Sequence, residues 1–220
     1  MKIAVLIPCY NEEFTIGKVV DDFYRELPEA DIYVFDNASD DKTFYVAQKH
    51  NAICRKEGNR GKGNVVRRMF KSVKADIYVM VDGDDTYDAA CVHKLIEEVK
   101  NGADMVIGRR KPYVSDSWIR KIGNKFINQY IKILFKAEGK IDVLSGYRAF
   151  SKKFVKKVEL EFDNFEVETE MTIYALRHGF NISFIDVNYR DRPAGSFSKL
   201  QTFKDGMLIL SCISHLYWGK

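Results

Sequence analysis

Asp82 and Asp84 stand two residues apart in the stretch VDGDDTYD, residues 81–88, directly after the apolar run at 77–81. Carboxylates at alternate positions can turn their oxygens toward one point, as a hard divalent cation such as Mg2+ or Mn2+ requires. Thr86 adds a hydroxyl in the same alternation and Gly83 leaves room for close approach. The apolar run reads as a strand buried on both faces, so these groups leave the carboxyl end of a strand. In open α/β sheets that is where ligands bind. An isolated D-x-D is also what an acidic solvated turn looks like, and the rest of the chain decides between the two.

Other strand ends carry polar groups suited to a nucleotide. Pro8, Tyr10, Asn11 and Glu12 follow the first apolar run, and Asp36 opens the segment after the second. A carboxylate there can accept from a base N–H or a ribose hydroxyl, and Tyr10 offers a stacking face. Gly61, Lys62 and Gly63 open a helix, where glycines allow close approach and Lys62 brings charge to a phosphate. The GxxxxGK[ST] spacing of a P-loop is absent. Together these loops favour a nucleoside diphosphate held against a metal.

The elements that must position them alternate from the first residue. Strands are expected at 2–7 (ended by Pro8), 32–35, 52–54, 77–81 and 105–107. Helices are expected from about Asn11 to before Pro28, from Asp40 or Asp41 to about Lys49, over 63–72 and over 89–100. This rhythm predicts an α/β fold with a mostly parallel sheet covered on both faces, and one domain over 1–220. A chain of 220 residues with 30% charged and 46% hydrophobic residues buries a core without staples, and its net charge of +4 is modest. Four scattered cysteines without a CxxC pair fit a reduced, cytoplasmic protein. No signal peptide and no run of roughly 20 apolar residues is seen. The basic residues follow no nucleic-acid-binding motif, so no nucleic-acid partner is expected.

IPCYNEE (7–13), VFDNASDDKT (34–43), GKGNVV (61–66) and VMVDGDDTY (79–87), in this order, resemble the family 2 inverting glycosyltransferases of GT-A (Rossmann-like) fold. SGYRAFSKK (145–153), FEVETEM (165–171) and DRPAGSFSKL (191–200) are similar to its dolichyl-phosphate mannose synthase-like, polyprenyl-phosphate branch. The resemblance implies a nucleotide-sugar half at 1–110, an acceptor half at 111–200, a GDP- or UDP-sugar donor and Mg2+ or Mn2+. That branch has DxDxQ where this chain has Thr86, which leaves the third metal ligand open beside Asp82 and Asp84. Its DDGS appears here as Asp36-Asn37-Ala38-Ser39, which keeps only the first carboxylate.

Displacing a nucleoside diphosphate from an anomeric carbon builds charge on the leaving group, which a divalent cation stabilises. A lipid phosphate is already ionised and needs only cations to position it, whereas a sugar hydroxyl needs a carboxylate base. By the resemblance, Arg110, Arg120, Arg148, Arg192 and Lys199 are candidates for the acceptor phosphate or the donor diphosphate. Glu170 would orient the acceptor or act as base, so Asp84, Glu170 and Arg192 form the candidate catalytic set. Glu166 and Glu168 read as helix-surface carboxylates.

The expected reaction is hexose transfer to a polyprenyl phosphate such as dolichyl or undecaprenyl phosphate. The alternatives are a polysaccharide or lipopolysaccharide transferase with a hydroxyl acceptor, and a sugar-nucleotide-binding module without turnover. Ile119, Ile122, Phe126, Tyr130 and Ile133 form one helical stripe within 117–136, with Lys121, Lys125, Lys132 and Lys136 on another face. A second apolar segment runs over 198–218. Both have the form of helices lying on an anionic membrane, or of helices with their stripe in the core. A peripheral enzyme on the inner face is expected.

Overall fold

The computed structural model describes residues 1–111, 118–197 and 202–219, and for 118–120 and 202 it describes the backbone alone. The elements are β1 (Ile3–Cys9), α1 (Ile16–Glu26), β2 (Asp31–Asp36), α2 (Thr43–Lys49), β3 (Ile53–Lys56), α3 (Lys62–Ser72), β4 (Ile77–Met80), α4 (Val92–Lys100), β5 (Met105–Arg110), α5 (Trp118–Phe135), β6 (Arg148–Ser151), α6 (Lys152–Lys157), α7 (Val167–Arg177), β7 (Ile182–Val187) and α8 (Thr202–Trp218). The strands form one seven-stranded sheet in the order β3-β2-β1-β4-β6-β5-β7. All pairings are parallel except those of β6, which runs antiparallel between β4 and β5. The α/β class with a mostly parallel sheet is as expected from the alternation of apolar runs.

Each face of the sheet carries its own core. Val5, Ile7, Val79 and Val106 pack on one side with Val20 and Phe23 of α1 and Leu95 of α4. Leu6, Phe35, Met80 and Ile107 pack on the other with Val66 and Met69 of α3 and Met171 of α7. Neighbouring residues of a strand thus point into opposite cores, which is why these strands read as continuous apolar runs. A third cluster forms where Ile127 and Ile131 of α5 meet Ile173 of α7 and Ile209 and Ile213 of α8.

Several boundaries differ from expectation, and two of them shape the cavity. β1 continues through Pro8 and Cys9, paired with Phe35 and Asp36. Its pairing with β4 ends at Leu6 and Met80, so Pro8 lies beyond that ladder and its missing N–H costs no bond there. Helix α1 starts at Ile16, not near Asn11. The backbone N–H groups of Asn11, Glu12 and Glu13 instead donate to Ser39 Oγ, Thr43 Oγ1 and Asp41 Oδ2, in the loop after β2 and at the start of α2. With these donors satisfied from outside, and Asn11 at φ +54°, the chain turns before it coils.

Candidate active site

The carboxyl ends of β1 and β4 open onto a cavity of about 650 Å3, closed on its far side by α5, α7, α8 and the segment after β7. Asp82, Gly83 and Asp84 lie in its lining with Pro8, Tyr10 and Glu12 from the end of β1. Thr15 Oγ1 donates to Gly83 O at 2.7 Å and fixes the turn between the two aspartates. Gly146 lies against Asp82, where any Cβ would collide with the carboxylate. The acidic turn is therefore built into the fold and is not a solvated loop.

Charge is balanced by three cations from distant parts of the chain. Lys62 Nζ lies 2.5 Å from Asp82 Oδ1 and 2.5 Å from Glu168 Oε1. Arg192 reaches Asp84 Oδ2 at 2.6 Å and Glu12 Oε1 at 3.0 Å. Arg110 pairs with Asp142 at 2.8 Å and sits over the Tyr189 ring. Burial, and then the neighbouring charge of Asp82, push the Asp84 carboxyl above its usual range, with Arg192 pulling the other way. Burial alone would draw the Arg192 guanidinium down, but Asp84 and Glu12 outweigh it and hold the cation charged. Lys62 is held charged in the same way, as Asp82 and Glu168 overcome its burial. Such a crowd of carboxylates is a place where a metal cation lowers the local charge cost.

The residues fit a divalent cation in one specific form. Asp82 and Asp84 supply two carboxylates, while Thr86 donates its hydroxyl to Asp84 Oδ1 at 2.6 Å and lies outside the cavity lining. Among the described residues, no cluster of three or more His, Cys, Asp or Glu side chains forms a protein-only metal site. A cation held here would need ligands from a bound diphosphate or water to complete its shell.

Several expected site residues have other places. Arg148 is fully buried and donates to Ser145 O, Val143 O and Thr172 Oγ1, so it is a core residue and faces no phosphate. Burial draws its guanidinium down to about 10. Asp36 is buried and accepts from Ser39 N–H, outside the cavity lining. Its neighbour Asn37 does line the cavity, donating to Asn59 O and accepting from Gly61 N–H, which ties the loop after β2 to the start of α3. Asn11 also lies outside the lining, where its Oδ1 accepts from Asp40 N–H.

Glu170 is absent from the lining, and the carboxylate of α7 that does face the cavity is Glu168. The expectation of exposed Glu166 and Glu168 fails because α7 buries every residue from Val167 to Ile173. A helix without an exposed face has no surface register to reason from. The signal in the sequence is VETEMTI itself, seven residues without a single Lys or Arg. The side chain of Arg120 and the whole of Lys199 lie outside the described residues.

A family profile described as glycosyl transferase family 2 matches residues 4–159. Protein RfbJ of Shigella flexneri is 52% identical over 120 residues, covering 54% of this chain and 93% of RfbJ. A dolichyl-phosphate hexose transferase of Haloferax volcanii is 29% identical, covering 94% of this chain and 90% of that protein. Among solved structures, glucosyl-3-phosphoglycerate synthase of Mycobacterium tuberculosis with Mn2+, uridine diphosphate and glucosyl-3-phosphoglycerate superposes with a TM-score of 0.82. It is 19% identical and covers 98% of this chain and 80% of that one, a likeness of fold.

Proposed function

The chain belongs to glycosyl transferase family 2, and we propose that it moves a hexose from a nucleotide sugar to a polyprenyl phosphate. The observation that carries this reading is the cavity itself. It joins the Asp82 and Asp84 pair to the cations Arg110 and Arg192, and continues along an apolar wall of Ile127, Leu144 and Ile209. A diphosphate and a lipid phosphate need the first part, and an isoprenoid chain suits the second. The full-length similarity to a protein named as a dolichyl-phosphate hexose transferase supports the same acceptor class.

In this reading Asp82 and Asp84 would hold Mg2+ or Mn2+, which would supply charge stabilisation for the leaving diphosphate. Arg192 holds the phosphate groups beside it, and Tyr10 with Arg60 over its ring at 5.0 Å flanks the nucleotide. An acceptor phosphate oxygen attacks the anomeric carbon from the side opposite the diphosphate. The bond to the diphosphate oxygen breaks as the new one forms, the electron pair leaves with the nucleoside diphosphate, and the configuration inverts. Because the attacking phosphate is already an anion, no general base is needed. A sugar hydroxyl is the second acceptor class, favoured by carboxylates in the cavity lining such as Glu168, Asp191 and Asp205. Lys62 at 2.5 Å holds Glu168 in an ion pair.

The acceptor class fits a peripheral position on the inner face of a membrane. Ile122, Phe126 and Ile133 of α5, and Phe203, Met207 and Trp218 of α8, are largely exposed, with Lys121 and Lys125 exposed among them. Among the described residues, no helix is long and apolar enough to cross a membrane. The test is a transfer assay with Mn2+ that pairs GDP-mannose, UDP-glucose and UDP-N-acetylglucosamine with a short polyprenyl phosphate and with the matching polyprenol. Product from the phosphate alone is the expected result. Product from the alcohol, or from a sugar acceptor only, overturns the lipid-phosphate reading.

A further inference from the structure

Glu170 is a buried carboxylate that the cavity does not reach. Its two oxygens accept the backbone N–H groups of Glu161 at 2.6 Å and Phe162 at 3.3 Å. The carbonyls just beyond these donors hold α3. Phe162 O accepts from Arg67 Nη1 at 2.8 Å, and Asp163 O accepts from Gly63 N–H at 2.7 Å. The approach is so close that a Cβ at Gly61 would collide with Asp163 O, and one at Gly63 with Phe162 O. Lys62 lies between these two glycines, with its ammonium on Asp82 and Glu168.

We propose that Glu170 is a positioning residue for the metal-proximal charge. By holding residues 161–163 it sets the start of α3, and through it places Lys62 between Asp82 and Glu168. A carboxylate in this place is costly, because burial disfavours its charge. An apolar side chain would instead leave two part-buried N–H groups without this acceptor. The groups around it are Glu161 on the held segment, Arg67 of α3, Glu166 of the preceding turn and Cys212 of α8, with His215 of α8 at 3.8 Å from Glu161. Burial pushes the Glu170 carboxyl up to about 7, while the two N–H bonds and Arg67 oppose that rise. Protonation turns one oxygen into a donor facing donors, so the hold on residues 161–163 loosens below neutral pH.

The inference rests on the reading that the cavity binds a sugar nucleotide. The probes are UDP-glucose and GDP-mannose with Mn2+, followed by titration calorimetry, since a sugar nucleotide has no ionisation of its own near neutrality. Glu170→Gln is expected to weaken binding by about tenfold, as loss of a ligand-orienting partner does, and to raise KM while nearly keeping kcat. Wild-type affinity should rise from pH 6 to pH 8 with a midpoint near 7, and that slope should vanish in Glu170→Gln. In a Lys62→Met background the same substitution should add nothing, because both act on one contact. If Glu170→Gln does not fold, Arg67→Gln, which releases the same segment from the outer side of α3, should give the same loss.

Unchanged affinity, losses that add to those of Lys62→Met, or a fall in kcat at constant KM each overturn the proposal, the last in favour of a chemical base. A wild-type protein that binds neither sugar nucleotide overturns the proposed function instead.

Discussion

The cavity floor and the α5–α8 layer are built on opposite plans. At the ends of β1, β2 and β4, loops are tied to one another by short bonds across long stretches of chain, such as Glu12 N–H to Thr43 at 2.8 Å and Gly61 N–H to Asn37 at 2.7 Å. The third core cluster, by contrast, buries only the inner sides of α5 and α8 and leaves Phe126 and Phe203 largely in solvent. One region spends its residues on fixed polar geometry before any ligand arrives, which is what electrostatic preorganisation requires. The other keeps apolar surface available, the form of a helix layer waiting for a second apolar phase. On the proposed function, the contrast separates a rigid donor side from an open acceptor side.

The sharpest way to break this contrast is at Asp84. Asp84→Asn is expected to lower Mn2+-dependent binding of a sugar nucleotide by about 100-fold or more, with the thermal unfolding midpoint nearly unchanged. Calorimetry with and without Mn2+ reads this directly, and retained binding would remove the acidic pair from the site.

Two arginines come next, and they should respond in opposite currencies. Arg148→Ala leaves three buried acceptors without a donor and should cost about 3 kcal/mol or more of stability, read by denaturant unfolding. Arg192→Ala should cost little stability yet slow transfer by about 100-fold, the scale of a lost charge-stabilising donor. A large stability loss at Arg192 would mean that the bridge to Glu12 and Asp84 serves the fold more than the reaction.

The smallest effect is expected on the open side. Replacing Phe126 and Phe203 together by serine should reduce co-sedimentation with anionic lipid vesicles by about tenfold, while binding of a sugar nucleotide is kept. Equal co-sedimentation of the variant would remove these faces from any membrane contact.

How much of this was legible in the chain follows from where each residue gets its environment. Asp82, Asp84 and Glu12 announce themselves because a strand with two buried faces ends beside them, and the strand pattern is local. Asp36 and Arg148 mislead for a shared reason. Residue type suggests a ligand, yet both side chains are buried and bonded internally, and only the packing of distant segments shows it. Glu168 reads as a helix-surface carboxylate only if its helix is half exposed, and α7 is wrapped by α3, α5 and α8. The strand β6 was also hidden. Its four residues carry an arginine and a serine at the ends, too short and mixed a run to stand out, and its antiparallel insertion is set by its neighbours.

The bridge from Arg192 to Glu12 joins residues 180 apart in sequence, and its consequence lies in the order of assembly. During synthesis the first strands can pair long before residue 192 exists. Until then, Glu12 and Asp84 lack the cation that they share in the folded chain. The acidic end of the sheet is therefore completed from a segment made long after the strands that carry it.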